Sequence, residues 1–542
     1  MWSFNEGTAS WPTWSYSKVK YDIFGFLPAC GSVDCNDLRN IGSGQNKRGS
    51  IMSQNETSAF AEALTAKSQT DFGLAKNSMS GAHLIFTVLA ALAPLTLVVA
   101  VAPLHFLTGG AAVPGAFIVA GCIMGMFAVG FSAMTRHVKN AGAFYAVITR
   151  GLGREVGAGA AMLAMIAYNA LQISTYGAFG VFAAEMSARL LHVSLPWWSF
   201  AIAALIAVVY LGYRGIETSA RVLLVVLSAE ILILVVLCGS ILFQGGAGEA
   251  PFGIFSAATI IRPENGGMFA LVIGAFMGFE STAIFSEEAR GGSSTVRKAT
   301  FISVGFIALF YAAVTFIIVM AYGADNIQAA AQADPVNLVI NLFQRYTNPV
   351  TVEIMNVLLL GSAFAALLAL HNICNRYLFV LGREGLLPRG LARTSGETRA
   401  PWVAGTVQSV LAITVIAMVV LLGVDPYLGL LLWGSALGLV GIIVLWTVCS
   451  VAISVFLVRQ PGAKSTFETL IAPGVAFLGL AAVVVVVLSD LSLLTGTTGM
   501  LNIILVGVGA LSMVGGVASA VLLKWRDRQA YDRLGQNRGD VV

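Results

Sequence analysis

Two glutamates lie where charge is expensive. Glu280 sits in "ALVIGAFMGFESTAIFSEEAR" (Ala270–Arg290), just past Gly274, Ala275, Phe276, Met277 and Gly278. Glu230 sits in the middle of "VLLVVLSAEILILVVL". A carboxylate in hydrocarbon must face the protein interior and be paired, protonated or hydrated. Burial disfavours its charged form, so such a group can load and release a proton. It can also bind a cation, pair with a basic substrate, or simply hydrogen-bond between helices. For Glu280 the plain alternative is that it fastens its own segment. Tyr168 and Gln172, in "YNALQ", are four apart and share one helical face. They can contact a substrate or act as interhelical glue. His371, Asn372 and Asn375 recur in "LALHNICNRY", where a packing role for the histidine competes with proton carriage.

The chain around these residues is 542 residues long, 57% hydrophobic and only 11% charged. Its mean hydropathy is +0.83. A soluble globule cannot hide that much apolar surface; an integral membrane protein can. The six cysteines show no common zinc spacing and no disulfide framework, so no metal is expected. The net charge of +4 forms no basic stripe, and nucleic acid is not an expected partner. No HExxH, GxSxG, P-loop or CxxC constellation points to an enzyme or an ATP-driven domain, and no cofactor is implied. Residues 1–80 are mostly polar and lack both a signal peptide and a continuous apolar core. They read as a poorly ordered cytoplasmic region. Residues 1–51 can be an upstream extension, with Met52 as a second start.

About 20 apolar residues cross a bilayer. Windows of that kind predict twelve spans, at 82–106, 113–135, 156–188, 196–213, 219–243, 267–287, 299–322, 351–380, 402–423, 427–457, 468–489 and 499–523. With the N-terminus inside, sixteen Lys and Arg residues, from Arg136 to Lys464, fall on the cytoplasmic side. Three, Arg189, Arg262 and Arg345, fall outside. That asymmetry obeys the positive-inside rule and predicts that both termini are cytoplasmic. The basic tail 524–542 fits there.

Two spans are interrupted. The first, "LAALAPLTLVVAVAPLHF", contains Pro94 and Pro103, each lacking a backbone donor and clashing with the preceding turn. The sixth contains Gly274 and Gly278, where unwinding costs little. Backbone freed from a helix cannot face lipid and must be buried or line a cavity. The two interrupted spans are five apart, which predicts an inverted repeat with a site near the membrane midplane.

Four stretches resemble amino acid permeases of the amino acid–polyamine–organocation (APC) superfamily, over roughly residues 80–525. They are "HVKNAGAFYAVITRGLG", "GAFMGFES", "EEARGGSSTVRKA" and "NRYLFVLGREGLLPRGLAR". The resemblance implies an all-α membrane protein of leucine-transporter-like fold: a 5+5 inverted repeat (about 81–243 and 267–457) plus two extra helices over 468–523. It implies a substrate carboxylate on backbone N–H groups of the first break, around Ala93, Pro94, Leu95 and Thr96. The substrate amine then meets carbonyls of the second, around Ala275, Phe276, Met277 and Gly278. Three features depart from the pattern. The first break lacks the usual glycines. Gly274 stands where many members have an aromatic gate, so Phe276 or another span must supply the gate, or the pocket is roomier. Glu230 stands where several sodium-independent members have a lysine.

Together these readings predict a secondary active transporter of amino acids or related amines in the cell membrane, working by alternating access. Protons are the expected coupling partner, with Glu230 and Glu280 as titrating groups. Polyamine or organic-cation transport, and amino acid exchange, are the alternatives.

Overall fold

The structure is a computed structural model. It describes residues 74–75, 77–138, 140, 142–246, 251–460 and 465–536. The expectations for residues 1–73, including Met52, Cys30 and Cys35, and for residues 537–542 lie outside these. The described residues are helical throughout, apart from loops and one isolated bridge between Met79 and Ala289.

Helix is what such a sequence must form. Runs of Leu, Val, Ala and Ile carry no side-chain donors or acceptors, so the backbone must satisfy itself. The helices used below are α1 (Gly81–Ala91), α2 (Ala102–Gly109), α3 (Val113–Met134), α4 (Phe144–Leu152), α5 (Arg154–Leu190), α6 (Trp197–Tyr213) and α7 (Ile216–Phe243). They continue with α8 (Gly266–Gly274), α9 (Gly292–Tyr322), α10 (Pro349–Glu384), α11 (Trp402–Leu421), α12 (Leu432–Arg459), α13 (Ala472–Ser489) and α14 (Met500–Arg526). Among the described residues, nine helical stretches are long and apolar enough to cross a membrane. The first, Gly81–Met134, contains both the first and second predicted spans. Helix α6 is apolar but has only 17 residues. The sixth predicted span does not form one helix: α8 stops at Gly274, and only the short helix Ser281–Ile284 follows before Gly292.

Helix α5, with 37 residues, is the longest. At 1.5 Å per residue it is about 55 Å long, well beyond a hydrocarbon core of about 30 Å. It packs against α10, α12 and α14, and α3 packs along α9. Between α5 and α12 the approach is close because α12 presents glycine every turn. A Cβ at Gly438 would stand 2.3 Å from Leu171 Cγ, and one at Gly441 would stand 2.8 Å from Ala167 Cβ. Small residues let helices meet where lipid gives no hydrophobic drive toward association. The least buried of the nine long apolar stretches, α14, leaves Ile503, Leu511, Val514 and Leu522 exposed, an apolar surface suited to lipid.

The chain after α14 is tied down. Tyr531 donates to Glu155 Oε1 at 2.6 Å. Glu384, ending α10, accepts from Gly535 N at 2.6 Å and from the Tyr145 hydroxyl at 2.6 Å. The expected basic tail is therefore, up to residue 536, a packed strap across the ends of α4, α5 and α10.

The α5–α12 seam generates a prediction. Gly438→Leu forces the two helices apart and should destabilise the protein by about 1–3 kcal/mol. Thermal unfolding of purified protein in detergent should show a lower midpoint than wild type.

Candidate functional site

The first break has a definite conformation. Ala93 has φ 45° and ψ 68°, a left-handed geometry that a non-glycine residue adopts only under constraint. Pro94 then opens a new helical run, where its missing N–H is no loss. The run continues through Pro94–Thr96, a wide π-helical stretch Leu97–Val101, and α2. The wide stretch lies just before Pro103, whose ring would clash with the carbonyl of an ordinary turn. In an unbroken helix Leu95 and Thr96 would donate to the carbonyls of Ala91 and Leu92. Here Leu95 N donates to Glu230 Oε2 at 3.1 Å, and Thr96 N donates to Ser362 Oγ at 3.3 Å. Ser362 in turn donates to Glu230 Oε2 at 2.8 Å. Helices α7 and α10 thus cap the break.

The second break mirrors this arrangement. Gly278 has φ 110°, and its N–H donates to Glu280 Oε2 at 3.0 Å. Tyr168 of α5 donates to Glu280 Oε1 at 2.6 Å. Glu280 therefore ties α5 to the unwound turn. Phe279 N goes to Phe276 O, at 3.4 Å, and Met277 N to Gly274 O, at 3.0 Å. The Ala275 carbonyl receives neither the Gly278 nor the Phe279 N–H. The Ala91 carbonyl has also lost its usual donor. The breaks face each other: a Cβ on Gly278 would stand 3.3 Å from Ala91 Cβ.

A cavity of about 290 Å³ lies where they meet. Of the residues singled out in the sequence, Ala93, Thr96, Tyr168, Gly274, Ala275, Met277 and Gly278 line it. Four others do not. Pro94 and Leu95 are buried behind the break, with the Leu95 N–H turned to Glu230. Phe276 is fully buried on the α3 side, its Cζ 3.9 Å from the place of a Cβ on Gly121. Gln172 joins a separate polar cluster, accepting from Gln408 and lying 3.5 Å from His371 Nδ1. Glu230 and Glu280 are fully buried behind the lining rather than in it.

The room at Gly274 is not empty. A Cβ there would stand 2.6 Å from Leu439 Cδ1, so α12 supplies the bulk that span 6 lacks. The aromatic side chains at the cavity are Tyr168, Phe182 and Tyr427. Sequence reasoning missed Phe182, although Tyr168, Leu171, Thr175, Ala178 and Phe182 follow one another at helical spacing along α5. A stripe drawn through Tyr168 would have found them. Ala363, Ala366 and Leu370 of α10, and Ser435 and Leu439 of α12, had no comparable signal.

Ala100, Phe182 and Tyr427 also border a second hollow of about 420 Å³, which reaches Arg189 and Glu353. In the other direction, α10 carries two ion pairs. Arg376 pairs with Glu288, almost wholly buried, and Arg383 pairs with Glu287 at 2.8 Å. Arg290, the neighbour in sequence, instead donates to the Asn77 carbonyl at 2.6 Å. Among the described residues no cluster of His, Cys, Asp and Glu has the makings of a metal site.

Comparison with known proteins places this architecture. A family model described as amino acid permease matches residues 72–511. The chain belongs to the amino acid permease family. Membership makes it a multi-pass membrane protein and sets it among transporters rather than enzymes. Two curated relatives are similar over parts of its length. The branched-chain amino acid permease BcaP of Lactococcus lactis subsp. cremoris (strain MG1363) is 30% identical over 129 residues, 24% of this chain and 26% of that protein. BcaP of Bacillus subtilis (strain 168) is 27% identical over 216 residues, 38% of this chain and 42% of that protein. The chain thus matches less than half the length of either.

The second break makes Gly278 irreplaceable on conformational grounds. Gly278→Ala should cost about 1–3 kcal/mol and lower the unfolding midpoint. Gly474→Ala is the control, since it lies in α13 and a Cβ there meets nothing within 4 Å; its midpoint should not fall.

Proposed function

We propose that this permease is a secondary active transporter of amino acids with apolar side chains, working by alternating access and coupled to protons. The observation that carries the reading is the lining of the 290 Å³ cavity: mostly apolar side chains with a few hydroxyls and freed backbone, and among the described residues no Asp, Glu, Lys, Arg or His. A zwitterion suits it. The ammonium group finds the carbonyls of Ala91 and Ala275. The carboxylate is drawn toward the positive end of the helical run that begins at Pro94, whose N–H groups are held by Glu230 and Ser362 in this structure. An aliphatic side chain finds Leu171, Leu370 and Leu439. The names of the two relatives, both branched-chain amino acid permeases, agree with that chemistry.

The same lining weighs against a polyamine or organic-cation carrier. Such a substrate calls for carboxylates in the cavity, and both deep glutamates are turned to backbone N–H groups instead. Amino acid exchange fits the cavity equally well and differs only in the coupling.

In this reading the chain makes twelve crossings. The nine long helical stretches supply ten, because Gly81–Met134 crosses twice; α6 and the broken α8 segment supply the rest. The first ten crossings form the inverted repeat and α13 and α14 are the two additions. Charge asymmetry puts both termini in the cytoplasm and the protein in the cell membrane. Phe182 and Tyr427 then form a thin outer partition, while Arg376–Glu288 and Arg383–Glu287 close the inner side. Glu230 holds the coupling proton, and Glu280 fastens the second break through Tyr168.

Two measurements test this. In a thermal-shift series with purified protein, leucine, isoleucine and valine should raise the unfolding midpoint, and lysine and putrescine should not. A ligand at 100 times its Kd adds about 2.7 kcal/mol. In reconstituted vesicles, Glu230→Gln should lower proton-driven leucine accumulation about tenfold or more, with a smaller effect on leucine counterflow. Accumulation unchanged across a pH series would remove Glu230 from the coupling.

A further inference from the structure

The first break has no free N–H to offer. Ala93 N donates to Ala90 O, Pro94 has none, and Leu97 N returns to Ala93 O. The two that remain, on Leu95 and Thr96, are held by Glu230 and Ser362. A carboxylate of the protein itself therefore occupies the anion-binding end of the helical run beside the cavity. No cationic side chain lines that cavity to serve a substrate carboxylate in its place.

We propose that Glu230 is a built-in stand-in for the substrate's carboxylate, and that a proton on Glu230 releases the Leu95 N–H to the incoming amino acid. The inference rests on the amino acid transport reading above and specifies how its proton and substrate are linked. An ionised carboxylate accepts a hydrogen bond about twice as strongly as a neutral group, so protonation loosens the Leu95 contact. Two carboxylates close together cannot both stay ionised in a water-poor site. The substrate carboxylate thus enters with one proton on Glu230 and leaves when that proton leaves. No covalent bond changes. Ser362, which now donates to Glu230 and accepts from Thr96, can turn its hydroxyl to accept from the protonated carboxyl.

The surroundings of Glu230 suit this role. The carboxyl is fully buried, and its Oε1 has no hydrogen-bond partner. Among the described residues no cation is paired with it. From α9 the Tyr311 phenol faces it, buried and also without a partner. Helix α1, packed against α7, carries no titratable residue except His83 in its first turn. The Tyr346 carbonyl accepts from Gln244, so Tyr346 and Arg345 lie at the far end of α7. Tyr210 and Tyr213 of α6 are exposed. From α10 the polar group is Ser362, which does not titrate in this range. Among the described residues of these elements, no other carboxylate faces it.

Calorimetric titration of the purified full-length protein with L-leucine, in buffers of different ionisation enthalpy, tests the proposal. Wild type should take up about one proton per leucine above the titration of Glu230, and its affinity should fall about tenfold per pH unit there. The decarboxylated analogue 3-methylbutylamine should bind without that uptake. Glu230→Ala, with the N–H free at every pH, should bind leucine about tenfold more tightly than wild type one pH unit above the titration of Glu230 and take up no proton. Leucine binding to wild type without proton uptake would overturn the stand-in role and leave the transport reading in place, and this result does not depend on how well the variant folds. Proton uptake retained in Glu230→Ala would also overturn it. Failure of leucine, isoleucine and valine to bind at any pH would overturn both.

Discussion

Everything at the centre of this protein follows from one constraint: a backbone N–H or carbonyl in hydrocarbon must have a partner. Twice the chain breaks a helix and creates groups without ladder partners. Twice it answers with a carboxylate from elsewhere in the fold or from the turn itself. Glu230 accepts from Leu95 across 135 residues of sequence, and Glu280 accepts from Gly278 two residues away. The donors are thereby satisfied, while the carbonyls of Ala91 and Ala275, two residues that line the cavity, lose their ladder donors. The asymmetry matters, because an unpaired carbonyl with two lone pairs is tolerated better than an orphaned N–H.

The supporting helices hold that geometry in different ways. Helix α5 contributes Tyr168 to the second break and lines the cavity for about four turns. It can do so because α12 approaches over Gly434, Gly438 and Gly441. Helix α10 contributes Ser362 to the first break, small alanines to the cavity wall, and arginines to the ion pairs beyond it. One helix thus touches the break, the cavity and the ion pairs.

The charged residues divide by function along the same axis. Glu287 and Glu288, beside Arg290 in the sequence, suit a solvated or ion-paired helix end. In the fold they are ion-paired, with arginines of α10, and Arg376 and Glu288 are almost completely removed from water. Breaking a buried pair by removing one partner is costly, commonly about 3–5 kcal/mol. In the proposed transport cycle such a pair suits a closure that opens only when both partners find other contacts. The strap at residues 527–536 adds a further tie by anchoring Glu384 at the end of the same helix.

How far the sequence reached can be seen in particular residues. Its hydropathy alone determined that the chain is helical and membrane-embedded, because hydrocarbon leaves few other ways to satisfy a backbone. Pro94, Gly274 and Gly278 located both interruptions, since their conformational limits are local properties. The resemblance to amino acid permeases then agreed with the family match. The side chains that complete the site were not legible in this way. Whether Phe276 points into a cavity or toward α3, whether Leu439 fills the room at Gly274, and whether Gln172 faces substrate or His371 all depend on helix rotation and on neighbours hundreds of residues away. Tertiary packing decided those, and it alone showed that Glu230, conspicuous in the sequence as a lone charge, spends its hydrogen bonds on the very backbone that a substrate would need.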